Sequence, residues 1–229
     1  MVAPTSARVK NPHFDVHSAF VQAVIFDYGG VLRGDGRDVW YDADASAGLR
    51  PGTLWAAWHD IPEYRQSREG AIDGVEFRAA IHRALVPIAG DAEQAESALA
   101  ALEARLASLP PIDTAMRSLL ERLRAARRVK LGLLSNANRG FSDRLRARGV
   151  AALFDDVVVS ADVGLAKPDP AIFRLAAERL GVEPAACLMI DDQAQHVDGA
   201  RTAGMRAHLH EAARLPELVQ ELERAGVVS

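Results

Sequence analysis

The sequence predicts an α/β fold, a doubly wound parallel sheet carrying an inserted α-helical cap. Three observations point there. Short apolar runs recur and stop at polar or turn residues, as the buried strands of a parallel sheet do. Patterns with one apolar helical face separate these runs. The stretch 35–109, after the first run, carries helical signals and no convincing strand.

Taken in order, residues 1–20 read as a weakly ordered, polar tail with no apolar segment of the kind a secretory signal needs. The first strand is the run Val21-Gln22-Ala23-Val24-Ile25-Phe26, halted at Asp27-Tyr28-Gly29-Gly30. The stretch 35–109 holds all three tryptophans and an alanine-rich helix over about 91–108, and Pro110-Pro111 marks a stiff return. An insertion at that point hangs over the carboxyl edge of the sheet, where open α/β folds bind ligands. Ile112, Met116, Leu119, Leu120 and Leu123 then keep the spacing of one buried helix face.

The second strand spans 129–134 and ends at Ser135-Asn136, and the third spans 157–159 and ends at Ser160. Asp169-Pro170 opens a helix with a capping residue followed by proline at its first position, and Gly181 stops it. The fourth strand, 187–190, ends at Asp191-Asp192, a weaker fifth covers 206–210, and an amphipathic helix over 215–225 follows. The expected division is a tail at 1–20, a sheet domain at 21–34 and 110–229, and a cap at 35–109.

Composition narrows the function classes. With 27 basic and 31 acidic side chains the net charge is −4, which offers no basic field for nucleic acid or anionic lipid. The single cysteine, Cys187, forms neither an internal disulfide nor a zinc cluster. No apolar run approaches the ~18 residues of a membrane span. A soluble, cytoplasmic protein with a small-molecule substrate is the expectation.

The chemistry lies at the strand ends. Asp27, Ser135-Asn136 and Asp191-Asp192 each follow a strand, and Lys167 sits in the loop after the third. Singly, each reads as a cap, a turn former or a solvated side chain. In a parallel sheet these ends share one edge, so the residues converge. Three carboxylates against one lysine leave an excess of −2, which raises carboxyl pKa values unless a cation relieves it. Oxygen-only donors favour a hard ion, Mg²⁺ before Zn²⁺. Such an ion suits an oxyanion substrate, most plausibly phosphate, with Ser135 and the N–H groups at the following helix start cradling its oxygens.

These residues carry a resemblance to the haloacid dehalogenase superfamily, in the branch with a helical cap after its first motif. That motif, an apolar strand followed by D-x-D-x-[TV]-[LVI], resembles Val24-Ile25-Phe26-Asp27-Tyr28-Gly29-Gly30-Val31-Leu32. The second is similar to Leu133-Leu134-Ser135-Asn136, the third to Gly164-Leu165-Ala166-Lys167-Pro168, and the fourth to Leu188-Met189-Ile190-Asp191-Asp192. The resemblance implies a Mg²⁺-dependent phosphomonoesterase acting on a small phosphorylated metabolite. Asp27 would be the nucleophile, forming an aspartyl-phosphate that water hydrolyses. The resemblance places Mg²⁺ between Asp27, the backbone carbonyl of Gly29 and the acidic pair, with Asp192 binding directly and Asp191 behind it or through water. Lys167 offsets the nucleophile's charge and binds phosphate, while Ser135 and Asn136 contribute to substrate binding.

One position departs from the family. Its second aspartate, the general acid–base, is Gly29 here. Metal binding through the carbonyl survives the change, but proton transfer does not, and such transfer supplies about 10²–10⁴-fold in rate. The departure favours a leaving group that needs little protonation, an anomeric, acyl or aryl phosphate, or else rescue by Asp35 or His196. Two further readings stand beside the phosphatase. One is a 2-haloacid dehalogenase, whose family relatives usually lack the acidic pair; the other is a catalytically retired fold used for binding. Trp40, Trp55, Trp58, Tyr64 and Arg65 are the cap residues expected to help select substrate.

Overall fold

In the computed structural model, which describes residues 20–34 and 36–228, the strands form one all-parallel sheet. They are β1 (Ala23–Phe26), β2 (Lys130–Ser135), β3 (Asp156–Val159), β4 (Cys187–Asp191) and β5 (Arg206–Leu209), in the order β3-β2-β1-β4-β5. The chain winds outward from β1 through β2 to β3, then crosses to β4 and β5. The first strand is therefore central, and the winding direction reverses between β1 and β4. The tail expected over 1–20 lies outside the described residues except for Phe20, and so does Asp35.

Alternation along the strands sorts side chains onto two faces. Val24, Phe26, Leu131, Leu133, Leu188 and Ile190 share one apolar cluster with the helices α6 (Thr114–Ala126), α7 (Phe141–Ala147) and α11 (Leu215–Arg224). Ala23, Ile25, Leu134, Cys187 and Met189 lie in a second cluster with α9 (Pro170–Leu180) and α10 (Ala194–Thr202). Both faces are covered, so the strands read as nearly continuous apolar runs. At the edge, β5 is only half-buried, and its His208 pairs with Glu221 of α11 at 2.5 Å.

Between β1 and α6 the described residues make five helices. They are α1 (Arg37–Ser46), α2 (Thr53–His59), α3 (Pro62–Arg68), α4 (Gly74–Ala89) and α5 (Ala92–Ser108). No strand occurs among the described residues of this stretch. These helices bury a third apolar cluster built from their own side chains, among them Trp40, Leu54, Phe77, Leu85, Leu99 and Leu102. Local sequence sets their limits. Asp73 and Glu76 form a reciprocal capping box that starts α4, and Asp91 accepts from the Gln94 amide to start α5. The helix expected over 91–108 is α5, one residue shorter because Asp91 is its cap.

The single-turn helix α8 (Ser160–Val163) follows β3, and the segment 164–168 leads from it to α9, whose cap is Asp169 and whose stop is Gly181 in the left-handed region. Glycine is required where α10 passes this segment. A Cβ on Gly199 would stand 2.3 Å from the Pro168 carbonyl oxygen and 3.0 Å from the Phe173 ring. The backbone beside Lys167 is thus packed directly onto α10. A Gly199→Ala substitution gains helix propensity of about 1 kcal/mol but overpacks this contact by more, for an expected net loss of about 1–2 kcal/mol, read from the urea unfolding midpoint.

Candidate active site

Three neighbouring strands and one loop deliver polar groups to the carboxyl edge of the sheet. Asp27 follows β1, and its amide donates to the Ile190 carbonyl of β4 at 2.9 Å. Ser135 ends β2, Asp191 ends β4, and Asp192 follows it. Because β2, β1 and β4 are adjacent in the sheet, residues more than a hundred positions apart in sequence become neighbours. The structure brings together every strand-end residue singled out from the sequence: Asp27, Ser135, Asn136, Lys167 and Asp192 line one cavity of about 690 Å³, and Asp191 lies beneath it.

At the centre is the Lys167 ammonium, buried to 4% exposure. Its Nζ donates to Asp27 Oδ1 at 2.7 Å and to Asp191 Oδ2 at 2.6 Å. Burial opposes charging the amine, but the two carboxylates outweigh it and hold the lysine pKa above its ordinary value. Asn136 fixes where this lysine starts. Its Oδ1 accepts from the Lys167 amide at 2.9 Å, and its Nδ2 donates to the Lys167 carbonyl at 2.8 Å. The Asn136 carboxamide, expected from the sequence to bind substrate, thus holds the lysine's backbone on both sides. Ser135 is buried and lines the same cavity.

The acidic pair divides into two unlike members. Asp191 is fully buried and fully engaged: Oδ2 accepts from Lys167, while Oδ1 accepts from the Gln193 amide at 3.0 Å and from His196 Nδ1 at 2.9 Å. Burial alone would raise its pKa, but the His196 hydrogen bond and the Lys167 charge prevail and hold it low. An ionised Asp191 therefore keeps a proton on His196 Nδ1. Asp192 has no such partners. Its Oδ1 is buried without a hydrogen bond, and burial, with the charges of Asp27 and Asp191, pushes its pKa to about 6. Burial and the Asp191 charge likewise raise Asp27 above the ordinary carboxylate range, against the pull of Lys167.

Asp192 sits where it does because Gly30 has no side chain. A Cβ there would fall 2.1 Å from Asp192 Oδ2, and the backbone takes φ +76°. Oxygens of Asp27, Asp191 and Asp192 lie within 4.8 Å of one another. Carboxylate-only donors, one of them buried and unsatisfied, fit a hard divalent cation that would relieve the excess negative charge. At Gly29 the reverse holds, since a Cβ would meet nothing within 4 Å. Space for a second aspartate exists, and the carboxyl does not.

Opposite this edge the cavity is walled by the helical insertion. Trp40, Trp55, Trp58, Tyr64 and Arg65, expected as contributors, all line it. So do His59, Arg68 and Arg33, which the sequence reading missed. The i, i+3, i+4 spacing of Trp55, Trp58 and His59, and the i, i+4 spacing of Tyr64 and Arg68, would have placed these side chains on shared helix faces.

Comparison with known proteins adds a lineage. Residues 21–204 match the family described as haloacid dehalogenase-like hydrolase. A Mycobacterium tuberculosis protein named as a phosphatase is 45% identical over 91 residues, covering 38% of this chain and 42% of that protein. The phosphoserine phosphatase of Thermus thermophilus is 35% identical over 133 residues, covering 57% of this chain and 53% of that enzyme. The chain therefore matches about half or less of the length of these curated relatives. Among solved structures, a HAD family enzyme of Bacteroides thetaiotaomicron in complex with magnesium and inorganic phosphate superposes with a TM-score of 0.57 at 21% identity, over 85% of this chain and 98% of that one. A 2-haloacid dehalogenase of Pseudomonas syringae superposes with a TM-score of 0.55 at 22% identity, over 88% and 99%. At such identities the superpositions speak for the fold alone.

The Asp192 environment has a measurable consequence in the cation-free protein. A carboxyl whose folded pKa of about 6 exceeds its ordinary 3.8 binds more protons folded than unfolded, so it destabilises the fold at neutral pH. In chelator, Asp192→Asn is expected to be more stable than the parent at pH 7.5. That advantage shrinks as pH falls below about 6 and is gone near 3.8, as read from paired thermal melts across pH.

Proposed function

The chain belongs to the haloacid dehalogenase-like hydrolases, and we propose that within this family it is a divalent-cation-dependent phosphomonoesterase with Asp27 as nucleophile. The observation that carries this reading is the unlike acidic pair: Asp191 saturated by Lys167 and His196, Asp192 half-buried with one oxygen that has no hydrogen-bond partner, in the same carboxylate cluster as Asp27. A displacement of halide from carbon has no use for such a cation site, whereas transfer of a phosphoryl group brings further negative charge that needs one. The names of the curated relatives, phosphatases, support the same choice. We assign 21–34 and 110–229 to the sheet domain, and the helices of 35–109 to a cap over its carboxyl edge.

In this reading Mg²⁺ would be held by Asp27, Asp192 and the Gly29 carbonyl, and when bound it supplies positive charge that offsets the carboxylates and the phosphoryl oxygens. Asp191, both of whose oxygens already accept hydrogen bonds, would act behind the ion or through water. It orients Lys167 and His196 from behind. Lys167 engages Asp27 Oδ1, which leaves Oδ2 to attack phosphorus while the ester P–O bond breaks and its electron pair leaves with the alcohol oxygen. Water then attacks the aspartyl-phosphate, releasing phosphate and returning the carboxylate. Ser135 donates its hydroxyl to a phosphoryl oxygen, and Lys167 stabilises charge developing there. Asn136 is a positioning residue, acting through Lys167.

With glycine at position 29, the carboxyl that would hand a proton to the departing oxygen is missing from that position. Esters whose alcohol leaves readily as the anion are therefore the favoured substrates.

Phosphate release from p-nitrophenyl phosphate is expected with Mg²⁺, lost in chelator, and reduced at least about 10³-fold by Asp27→Asn. A folded protein that releases phosphate from no ester would instead favour a role in binding. Since a side chain at Gly29 meets open space, Gly29→Asp is expected to fold normally and to raise turnover of ethyl phosphate by about 10–10² while changing p-nitrophenyl phosphate little. Equal, robust turnover of both esters by the parent protein would sink the leaving-group argument.

A further inference from the structure

The cavity is much larger than a phosphate group, and its far end has a chemistry of its own. Rings of three helices meet there edge to face: Trp40 packs against Trp55 and Trp58 with centroids 5.3 and 5.5 Å apart, and His59 stacks on Trp55 at 3.9 Å. Tyr64 closes the group 5.0 Å from His59. All five rings bury part of their surface in the insertion's own core or against it, yet all five also line the cavity beside Asp27. Burial lowers the His59 pKa, so at neutral pH its ring is an uncharged wall. An aromatic lining of this kind accepts a flat apolar ring by edge and face contacts.

Next to the rings is an uncompensated cation. The Arg68 guanidinium lies 4.6 Å over the Tyr64 ring, and its Nε is buried with no hydrogen-bond partner. Neither Arg68 nor Arg65 forms an ion pair among the described residues, and both line the cavity. Arg33 adds a third charge, with one nitrogen donating to the Leu106 carbonyl at 3.1 Å. Two carboxylates outside the catalytic cluster, Glu69 and Asp169, also line the cavity, and Asp169 is committed to capping α9. The balance at the insertion's end is cationic, and Arg144, 5.4 Å over the Phe141 ring, has its pKa lowered by burial and then by the charge of Arg68.

We propose that this end of the cavity is a leaving-group subsite, and that the substrate is a phosphate monoester whose alcohol carries an aromatic ring and a second anionic group, the ring seated among Trp40, Trp55, Trp58 and Tyr64 and the anion on Arg68. This rests on the phosphomonoesterase reading and narrows its substrate class. The buried Nε of Arg68 is the donor the anion would satisfy, and a carboxylate is the geometry a guanidinium fork matches.

Four esters test it without depending on leaving-group ability, because ethyl and benzyl alcohols are alike in acidity. Relative to ethyl phosphate, benzyl phosphate is expected to show kcat/KM at least about tenfold higher through KM. The 4-carboxybenzyl ester should gain about tenfold more, and the 4-methylbenzyl ester should gain nothing beyond benzyl. In Arg68→Gln the KM for the 4-carboxybenzyl ester should rise about tenfold more than that for benzyl phosphate. Binding is read separately by quenching of tryptophan fluorescence with 4-carboxybenzyl alcohol, which needs no turnover. Arg68-dependent quenching with neither these esters nor p-nitrophenyl phosphate hydrolysed would sustain the subsite and remove the phosphatase reading. Hydrolysis with all four esters equal in KM, and no quenching, would overturn the subsite and leave the phosphatase reading standing.

Discussion

Everything at the carboxyl edge depends on one buried ammonium. Lys167 contacts Asp27 at 2.7 Å and Asp191 at 2.6 Å in a place where water does not screen them. Removing such a partner from buried carboxylates costs several kcal/mol, about 3–5 in measured cases, so the lysine is as much a condition of folding as of chemistry. One cation nevertheless cannot neutralise three acids. The surplus settles on Asp192, the carboxyl with the fewest donors, and a divalent cation would be held by that surplus. Charge imbalance, which would be a fault in a structural ion network, is the property that suits this cluster to a cation.

The fold supplies the imbalance by topology. With β1 central and the winding reversing between β1 and β4, the two strand ends that carry acids are adjacent, and β2 brings Ser135 and Asn136 alongside. The lysine arrives from the segment before α9, which Asn136 grips on one side and α10 presses on the other through Gly199. The second of these contacts needs glycine, because a Cβ on Gly199 would meet the Pro168 carbonyl. The insertion, by contrast, walls the cavity with side chains that serve two ends at once: the same rings pack its helices against one another and line the cavity.

Much of this was legible before any coordinates. Apolar runs stopped by Asp27, Ser135 and Asp191 announced three of the strands, because a strand buried on both faces has no room for polar residues until it emerges. Helix α9 was legible at both ends from Asp169-Pro170 and Gly181. The helices α7 and α10 were missed: α7 is short and basic, and α10 carries His196 and Gly199 on its buried side where an apolar pattern would have betrayed it. The site residues were found by position, but their division of labour was not. That Asn136 holds the backbone of Lys167, and that Asp191 is saturated while Asp192 is not, depends on hydrogen bonds across 31 and 24 residues of sequence that no local pattern encodes. Arg68 escaped notice for the same reason, since an arginine near the end of a short helix looks solvated until its Nε is seen to be enclosed.

The two-sided grip of Asn136 on Lys167 has a wider consequence. It ties the position of the lysine to the end of β2, and β2 is set by its pairing with β1 residue for residue, Phe26 opposite Leu133. A collapsed chain with its helices formed and this pairing shifted by one residue would turn Ser135 to the opposite face and carry Asn136 away from the lysine loop. A sheet paired in that shifted register would lack the lysine's anchor and with it this pocket's geometry. The carboxyl edge is in that sense a register gauge, assembled only once the central strands have aligned.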